Sequence, residues 1–394
     1  MDESSVAAKP LAPSPRLLYG PGPTNVASSV TDVVQRSMLS HLDPEFHDVL
    51  AEVVDMLRRV YRHQSGYTLP LSLPGTAGME VGLVSLVDPG DTVVVGVAGF
   101  FGDRIVQAAR RYGANVIEVR EDPGNVVPNE RIVNAVEQHP ETALVAVVHA
   151  ETSTGAWHPL AELAAALRDK DVLLMADCVT ALGGVEVEPE RWGIDFSFSC
   201  SQKCVGAPPG MSPITVSERA LEQARRKRVA PPYSFDLEEL ANYYLQRPVK
   251  YHHTVPVLQL YALHEALRLA LVEGMEARWQ RHADAGAYLQ DQLRGRGFEL
   301  LADPAYQLPQ LSAVRVPEHL DGPAVQRRLL KDFQIEVGGP LGAAGPSIWR
   351  IGLMGVNATR QAADQVLEAL DTAIASEEGS VSRVASTAGS GQGV

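Results

Sequence analysis

The chain has 394 residues, enough for roughly two or three domains with a sizeable core, and 34 basic against 48 acidic side chains leave a net charge of −14. That field opposes binding to a phosphate backbone or an anionic membrane surface, so neither nucleic acid nor membrane is an expected partner. Hydrophobic residues make up 45% with no apolar run near the ~20 residues that span a bilayer, and the three cysteines, Cys178, Cys200 and Cys204, fit neither a disulfide framework nor a zinc cluster.

Residues 1–15 are acidic and proline-rich, lack a secretory pattern and read as a loose arm, which leaves the cytoplasm as the expected location. Beyond them short β-branched runs alternate with segments of helical period, the signature of an α/β fold on a largely parallel sheet. Strands are predicted at Thr92–Val97, Asn115–Val119, Ala143–Val148, Val172–Ala176, Phe196–Ser199 and Pro213–Val216, and their near-continuous apolar character implies burial on both faces. Helices are predicted at Met79–Val87, Gly102–Tyr112, Pro128–Gln138 and Pro159–Arg168. Long helices follow over Val257–Leu271 and on to Leu293, then a strand at Leu311–Val316, a helix at Ala324–Phe333, strands near Ile335–Val337 and Ile348–Ile351, and a closing helix at Thr359–Ile374. This pattern divides the chain into a large domain (16–260) and a smaller α+β domain (261–375), with a Gly/Ser-rich tail (376–394) expected to be disordered. The terminal Gly-Gln-Gly-Val matches neither a peroxisomal nor a prenylation address.

Three places can carry chemistry. The turn Gly75-Thr76-Ala77 lies between an extended run and a helix, where small residues let backbone amides approach an anion at the positive helix end; taken alone it reads first as a helix cap. No Gly-Lys-Ser/Thr follows, so it is not a nucleotide-binding P-loop. Asp177 stands at the carboxyl end of an apolar strand, where open α/β sheets place ligands, although capping of the residues from Cys178 onward would also explain it. Lys203 follows another strand in the small, polar run Ser199-Cys200-Ser201-Gln202, and its amine could form a Schiff base with a carbonyl. An anion cradle, a carboxylate and a lysine are together what pyridoxal 5′-phosphate requires: a phosphate site, a partner for the ring nitrogen and an amine for the aldehyde.

Several motifs then match one family in order. Gly20-Pro21-Gly22-Pro23-Thr24-Asn25, His41-Leu42-Asp43-Pro44-Glu45-Phe46, His149-Ala150-Glu151-Thr152-Ser153-Thr154-Gly155, Asp177-Cys178-Val179 with Gly183-Gly184, Ser201-Gln202-Lys203 with Ala207-Pro208-Pro209-Gly210, Tyr251-His252-His253-Thr254-Val255-Pro256 and Trp349-Arg350-Ile351-Gly352 span about residues 17–375. The chain resembles the class V aminotransferases of fold type I, and within them the alanine:glyoxylate and serine:pyruvate aminotransferases. The resemblance implies a mainly parallel seven-stranded sheet in the large domain. It also implies a cytoplasmic homodimer that moves the amino group of alanine or serine to glyoxylate or pyruvate in a ping-pong reaction through a Lys203 Schiff base. Asp177 would pair with the ring nitrogen, Thr152 would hydrogen-bond the phenolic oxygen, and Val179 and Phe101 would cover the two ring faces. Phe101 stands where relatives often carry tryptophan or tyrosine, so stacking is kept and a ring donor is lost. Gly75, Thr76, Ala77 and Gln202 would bind the phosphate, with Tyr251 and Thr254 completing that site from the second subunit. Arg350 would grip the substrate carboxylate with its two-pronged guanidinium, near Gly22.

Other residues have plainer readings. Arg350 alone could be a structural ion pair; His149, His252 and His253 read as packing or interface residues; Arg225-Arg226-Lys227-Arg228 reads as a solvated helix end that could also steer anionic substrates. The cysteines are expected to be buried. An alternative on the same scaffold is a β-lyase or a specialised biosynthetic enzyme acting on a modified amino acid. A desulfurase is disfavoured because no cysteine follows Cys204.

Overall fold

The structure is a computed structural model that describes residues 10–341 and 347–389. Seven strands build the central sheet: β1 (Tyr67–Leu71), β2 (Thr92–Val97), β3 (Asn115–Arg120), β4 (Thr142–Val148), β5 (Leu173–Asp177), β6 (Phe196–Phe198) and β7 (Ser212–Val216), in spatial order β1-β7-β6-β5-β4-β2-β3. Strands β2 to β6 run parallel, and β7 is antiparallel to both β6 and β1. Val93, Val94, Val95, Leu144, Val145, Ala146 and Val147 are all buried, because helices cover both faces and no strand position in the middle of the sheet meets water. The sequence pattern left β1 as an extended run because Pro70 interrupts it; β1 is the edge strand, the place where a missing N–H does least harm.

A second core forms around the antiparallel pair β8 (Leu311–Arg315) and β9 (Ile348–Gly352), packed by Leu289, Leu293, Val325, Leu329 and the closing helix. The amino-terminal segment joins this core. Leu17 and Leu18 pair in parallel with Ile335 and Glu336, and Tyr19 is buried there. The helix Val257–Glu273, by contrast, sends Val257, Leu260, Leu263 and Leu267 into the large core against Pro44–Tyr61. It ends at Gly274, whose φ of 87° a side chain would strain, and the next helix is Met275–Gly295. The two cores therefore change over near Gly274 and not at residue 260.

The closing helix runs from Arg360 to Gly389, longer than the predicted Thr359–Ile374, so the tail expected to be disordered from Ser376 is helical through Gly389. A helix already nucleated extends through residues such as Ala, Glu and Arg at little cost, which composition alone does not weigh. Of the predicted amino-terminal arm, residues 10–15 are exposed and irregular, and residues 1–9 lie outside the described residues, as do 390–394. Among the described residues no helix is long and apolar enough to cross a membrane.

Candidate active site

Because β5 and β6 are adjacent and parallel, the loops that leave their carboxyl ends open onto one edge of the sheet. Asp177 is the last residue of β5 and Lys203 sits on the loop after β6, so topology alone brings them to one cleft. Asp177 Oδ1 accepts a 2.9 Å hydrogen bond from the Val179 amide. Burial nevertheless pushes its carboxyl up to about 7, helped by the negative charge of Glu151 and opposed by the Val179 amide, Lys203 and Arg104. This carboxylate lacks a full counter-charge. Burial likewise lowers the pKa of Lys203, whose Nζ donates to the Pro21 carbonyl at 2.5 Å and lies 3.4 Å from Thr152 Oγ1. The amino-terminal segment lies directly on this lysine. A Cβ at Gly22 would come within 3.1–3.2 Å of Lys203 Cγ, Cδ and Cε, and φ at Gly22 is +100°. Arg278, buried on the helix after Gly274, donates to the carbonyls of Gly183 and Cys204 and pairs with Glu273, fixing the lysine loop from behind.

The other end of the cleft is open. The helix Gly75–Leu86 begins at the cradle itself, and its first amides have no intrahelical acceptor, except that the Ala77 amide donates to the Pro74 carbonyl at 2.8 Å. Gly75 and Thr76 line the cleft and Ala77 does not. A Cβ at Gly75 would sit 3.2 Å from Val179 Cγ2, so the glycine keeps this floor open. Phe101, near the start of the helix Phe100–Arg111, forms one wall with Arg104 beyond it. The buried Glu151 carboxylate holds that helix start: Oε2 accepts from the Phe101 and Gly102 amides (3.1 and 3.4 Å), and Oε1 accepts from the Ser153 amide and hydroxyl (3.0 and 2.6 Å). Gln202 lines the same cleft, of about 240 Å³, and its Oε1 is buried without a partner.

Arg350, in the middle of β9, is buried at the small-domain side. Its Nε donates to the Gly339 carbonyl (2.7 Å) and its Nη1 to the Thr152 carbonyl (3.3 Å), while burial lowers its pKa to about 10. Its partners are carbonyls, so the structural ion pair is not formed among the described residues. Thr152 thus touches both Arg350 and Lys203, and its hydroxyl lies 2.5 Å from that of Thr180. Tyr251 and Thr254 do not line the cleft of their own chain; Tyr251 is 55% exposed and its ring packs on His41.

His149 is buried between Trp157 and Trp192 with Nδ1 2.7 Å from the His158 carbonyl, a packing role. All three cysteines are buried, and burial raises each thiol pKa, Cys200 to about 11 and Cys204 to about 12. In the basic run Arg225, Arg226 and Arg228 are exposed as expected, Arg228 reaching Asp88 and Asp91, while Lys227 is buried on Asp88 (3.2 Å). Glu151, Arg104, Arg278 and the Pro21 carbonyl were given no role by the sequence. Arg104 was the one within reach, since it comes one helical turn after Phe101 and must share its face.

A strand-end carboxylate, a buried amine with a lowered pKa, an open helix start and an arginine without a carboxylate define a site for a carbonyl-bearing, anionic cofactor and a carboxylate substrate. The family model Aminotransferase class-V matches residues 27–356. The alanine–glyoxylate aminotransferase of Callithrix jacchus is 35% identical over 93% of this chain and 89% of its own, and the (S)-ureidoglycine–glyoxylate transaminase of Bacillus subtilis is 34% identical over 91% and 90%. The crystal structure of an alanine–glyoxylate aminotransferase from Nostoc sp. superposes with a TM-score of 0.91 at 42% identity, over 93% of this chain and 97% of that one. The chain belongs to the class-V aminotransferases. Membership implies pyridoxal 5′-phosphate as cofactor, and the residues fit it: the side-chain-free floor at Gly75, the unpartnered Gln202 oxygen and the under-compensated Asp177 are each what such a group would fill.

Proposed function

We propose that the chain moves the amino group of a small α-amino acid, alanine or serine, to glyoxylate or pyruvate, as a cytoplasmic homodimer using pyridoxal 5′-phosphate. The observation that carries this reading is that Lys203 and Asp177 line one small cleft and that Thr152 joins Lys203 to Arg350, its hydroxyl 3.4 Å from Lys203 Nζ and its carbonyl 3.3 Å from Arg350 Nη1. When bound, the pyridoxal ring supplies an electrophilic carbon for the amino group and a sink for electrons from the Cα–H bond. Lys203 Nζ, with its pKa lowered by burial, is the nucleophile and then the base that takes the substrate Cα proton. Asp177, buried without a full counter-charge, would hold a positive charge at the ring nitrogen. Thr152, beside Lys203, would offer its hydroxyl to the ring's phenolic oxygen, and Val179 and Phe101, which line the cleft, would cover its faces. Gly75, Thr76 and Gln202, which line the cleft, would hold the phosphate. Arg350 presents its remaining N–H groups to the substrate carboxylate as a planar fork.

Support for the dimer is that Tyr251 and Thr254 are exposed and do not line their own cleft, which leaves them accessible to a second copy. The buried, unpaired thiols suit a reducing compartment. Glyoxylate as acceptor is supported by the names of both curated relatives, whereas their donors differ. The elimination alternative has no such support.

The test is reduction of the cofactor-loaded protein with borohydride, then titration of the unreduced protein with alanine or serine in the absence of any keto acid. The reading expects a pyridoxyl adduct on Lys203 alone, one keto acid formed per site, and a loss of about 10⁴-fold in turnover for Lys203→Ala. Release of ammonia with unlimited keto acid would replace transamination by elimination.

A further inference from the structure

We propose that Arg104 is the fixed cation of the phosphate subsite, contributed by the same subunit as Lys203; the inference rests on the cofactor reading above. Arg104 lines the cleft beside Thr76, with Nη1 3.4 Å from Thr76 Oγ1. Its guanidinium lies 4.9 Å from the Phe100 ring centre and 5.0 Å from that of Phe101, so two aromatic faces orient it without neutralising it. Of the nearby carboxylates, Asp103 pairs with Arg120, Glu80 accepts from the Tyr112 hydroxyl, and Glu151 accepts from the amides of Phe101, Gly102 and Ser153; Asp177, in the same cleft, feels the charge of Arg104 through space and forms no ion pair with it among the described residues.

The cradle needs such a charge. A phosphate monoester carries about −1.5 to −2 at neutral pH, while a helix start offers roughly +0.5. Here the start is poor in donors, because Pro74 has no N–H and the Ala77 amide is already bonded to the Pro74 carbonyl. The other cation lining the cleft, Lys203, is committed to the aldehyde. Arg104 therefore supplies the charge directly, and by donating to Thr76 Oγ1 it leaves the Thr76 hydroxyl proton free for a phosphate oxygen. The guanidinium fork suits two phosphate oxygens at once, which an ammonium does not.

The experiment measures binding of pyridoxal 5′-phosphate and of unphosphorylated pyridoxal to cofactor-free wild type, Arg104→Gln and Arg104→Lys, from the absorption change on adduct formation. Loss of about 10- to 100-fold in affinity for the phosphorylated form by Arg104→Gln, no more than about 2-fold for pyridoxal, and an intermediate loss for Arg104→Lys are expected. Inorganic phosphate should compete with loading of wild type and lose potency in Arg104→Gln. Equal losses for the two forms would make Arg104 a packing residue and overturn the proposal, as would an unchanged affinity for the phosphorylated form. If Arg104→Gln fails to fold, the same selectivity read in Arg104→Lys decides. Wild type that binds neither form would refute the cofactor reading instead, a distinct result.

Discussion

The two ends of the cleft are built on opposite principles. At the inner end Asp177 and Lys203, with Thr152 and Arg350 joined to them from beside the cleft, are buried, fixed by strand ends and carbonyls, and two of their charges are left incompletely compensated. At the outer end Thr76 and Pro74 are exposed, the wall is a pair of phenylalanine rings, and the polar donors are few. Burial tunes chemistry and exposure admits the cofactor. Changes at the inner end should therefore alter rate and titration, and changes at the outer end occupancy.

The sharpest break is Asp177→Asn, which should lower kcat by about 10²-fold or more while the protein still folds. It carries a second signature. The buried carboxyl titrates near 7 in the native state against about 4 unfolded. The native state therefore holds a proton the unfolded chain has lost, and the cofactor-free protein loses stability as pH rises from about 4 to about 7. Denaturant unfolding across that range should show Asp177→Asn lacking this part of the slope and more stable than wild type above pH 7.

Arg350→Lys should come next. Replacing a fork by a point charge removes one or more charge-assisted hydrogen bonds, each about 1.5–3 kcal/mol, so kcat/KM for the amino acid should fall about 10- to 100-fold. Steady-state kinetics with alanine and serine would check it, and a wild-type kcat/KM in the variant would move the carboxylate site elsewhere. Phe101→Ala, at the outer end, should be mildest on rate. Loss of a stacked ring worth about 0.5–1.5 kcal/mol predicts roughly 2- to 12-fold weaker cofactor retention on dialysis, with kcat at saturating cofactor changed less.

The same division explains which parts of the site were legible in the sequence. Strand ends are written locally, so Asp177 and Lys203 could be placed from an apolar run and the polar residues just beyond it, and the central strands from β2 to β7 lie within a residue or two of their predicted bounds. The outer end depends on contacts far apart in sequence. Glu151 fixes the helix start at Phe101 from another strand end, and Gly22 meets Lys203 from the opposite end of the chain. No periodicity encodes such a meeting. The changeover between the two cores is hard to read for a related reason, since the helix Val257–Glu273 is apolar on more than one side and only packing decides which core it joins. The helix between Ser376 and Gly389 is not legible from composition, which ignores the helix already running into it.

Arg278 gives the molecule one further property. Its guanidinium is tied to the carbonyls of Gly183 and Cys204, the latter adjoining the reactive lysine, while its backbone belongs to the helix that leads into the second core. The second core is thereby mechanically geared to Lys203: a fault seeded far away, among Leu289, Leu293 or the closing helix, should surface first as a mis-aimed Lys203 amine in a protein that still looks folded.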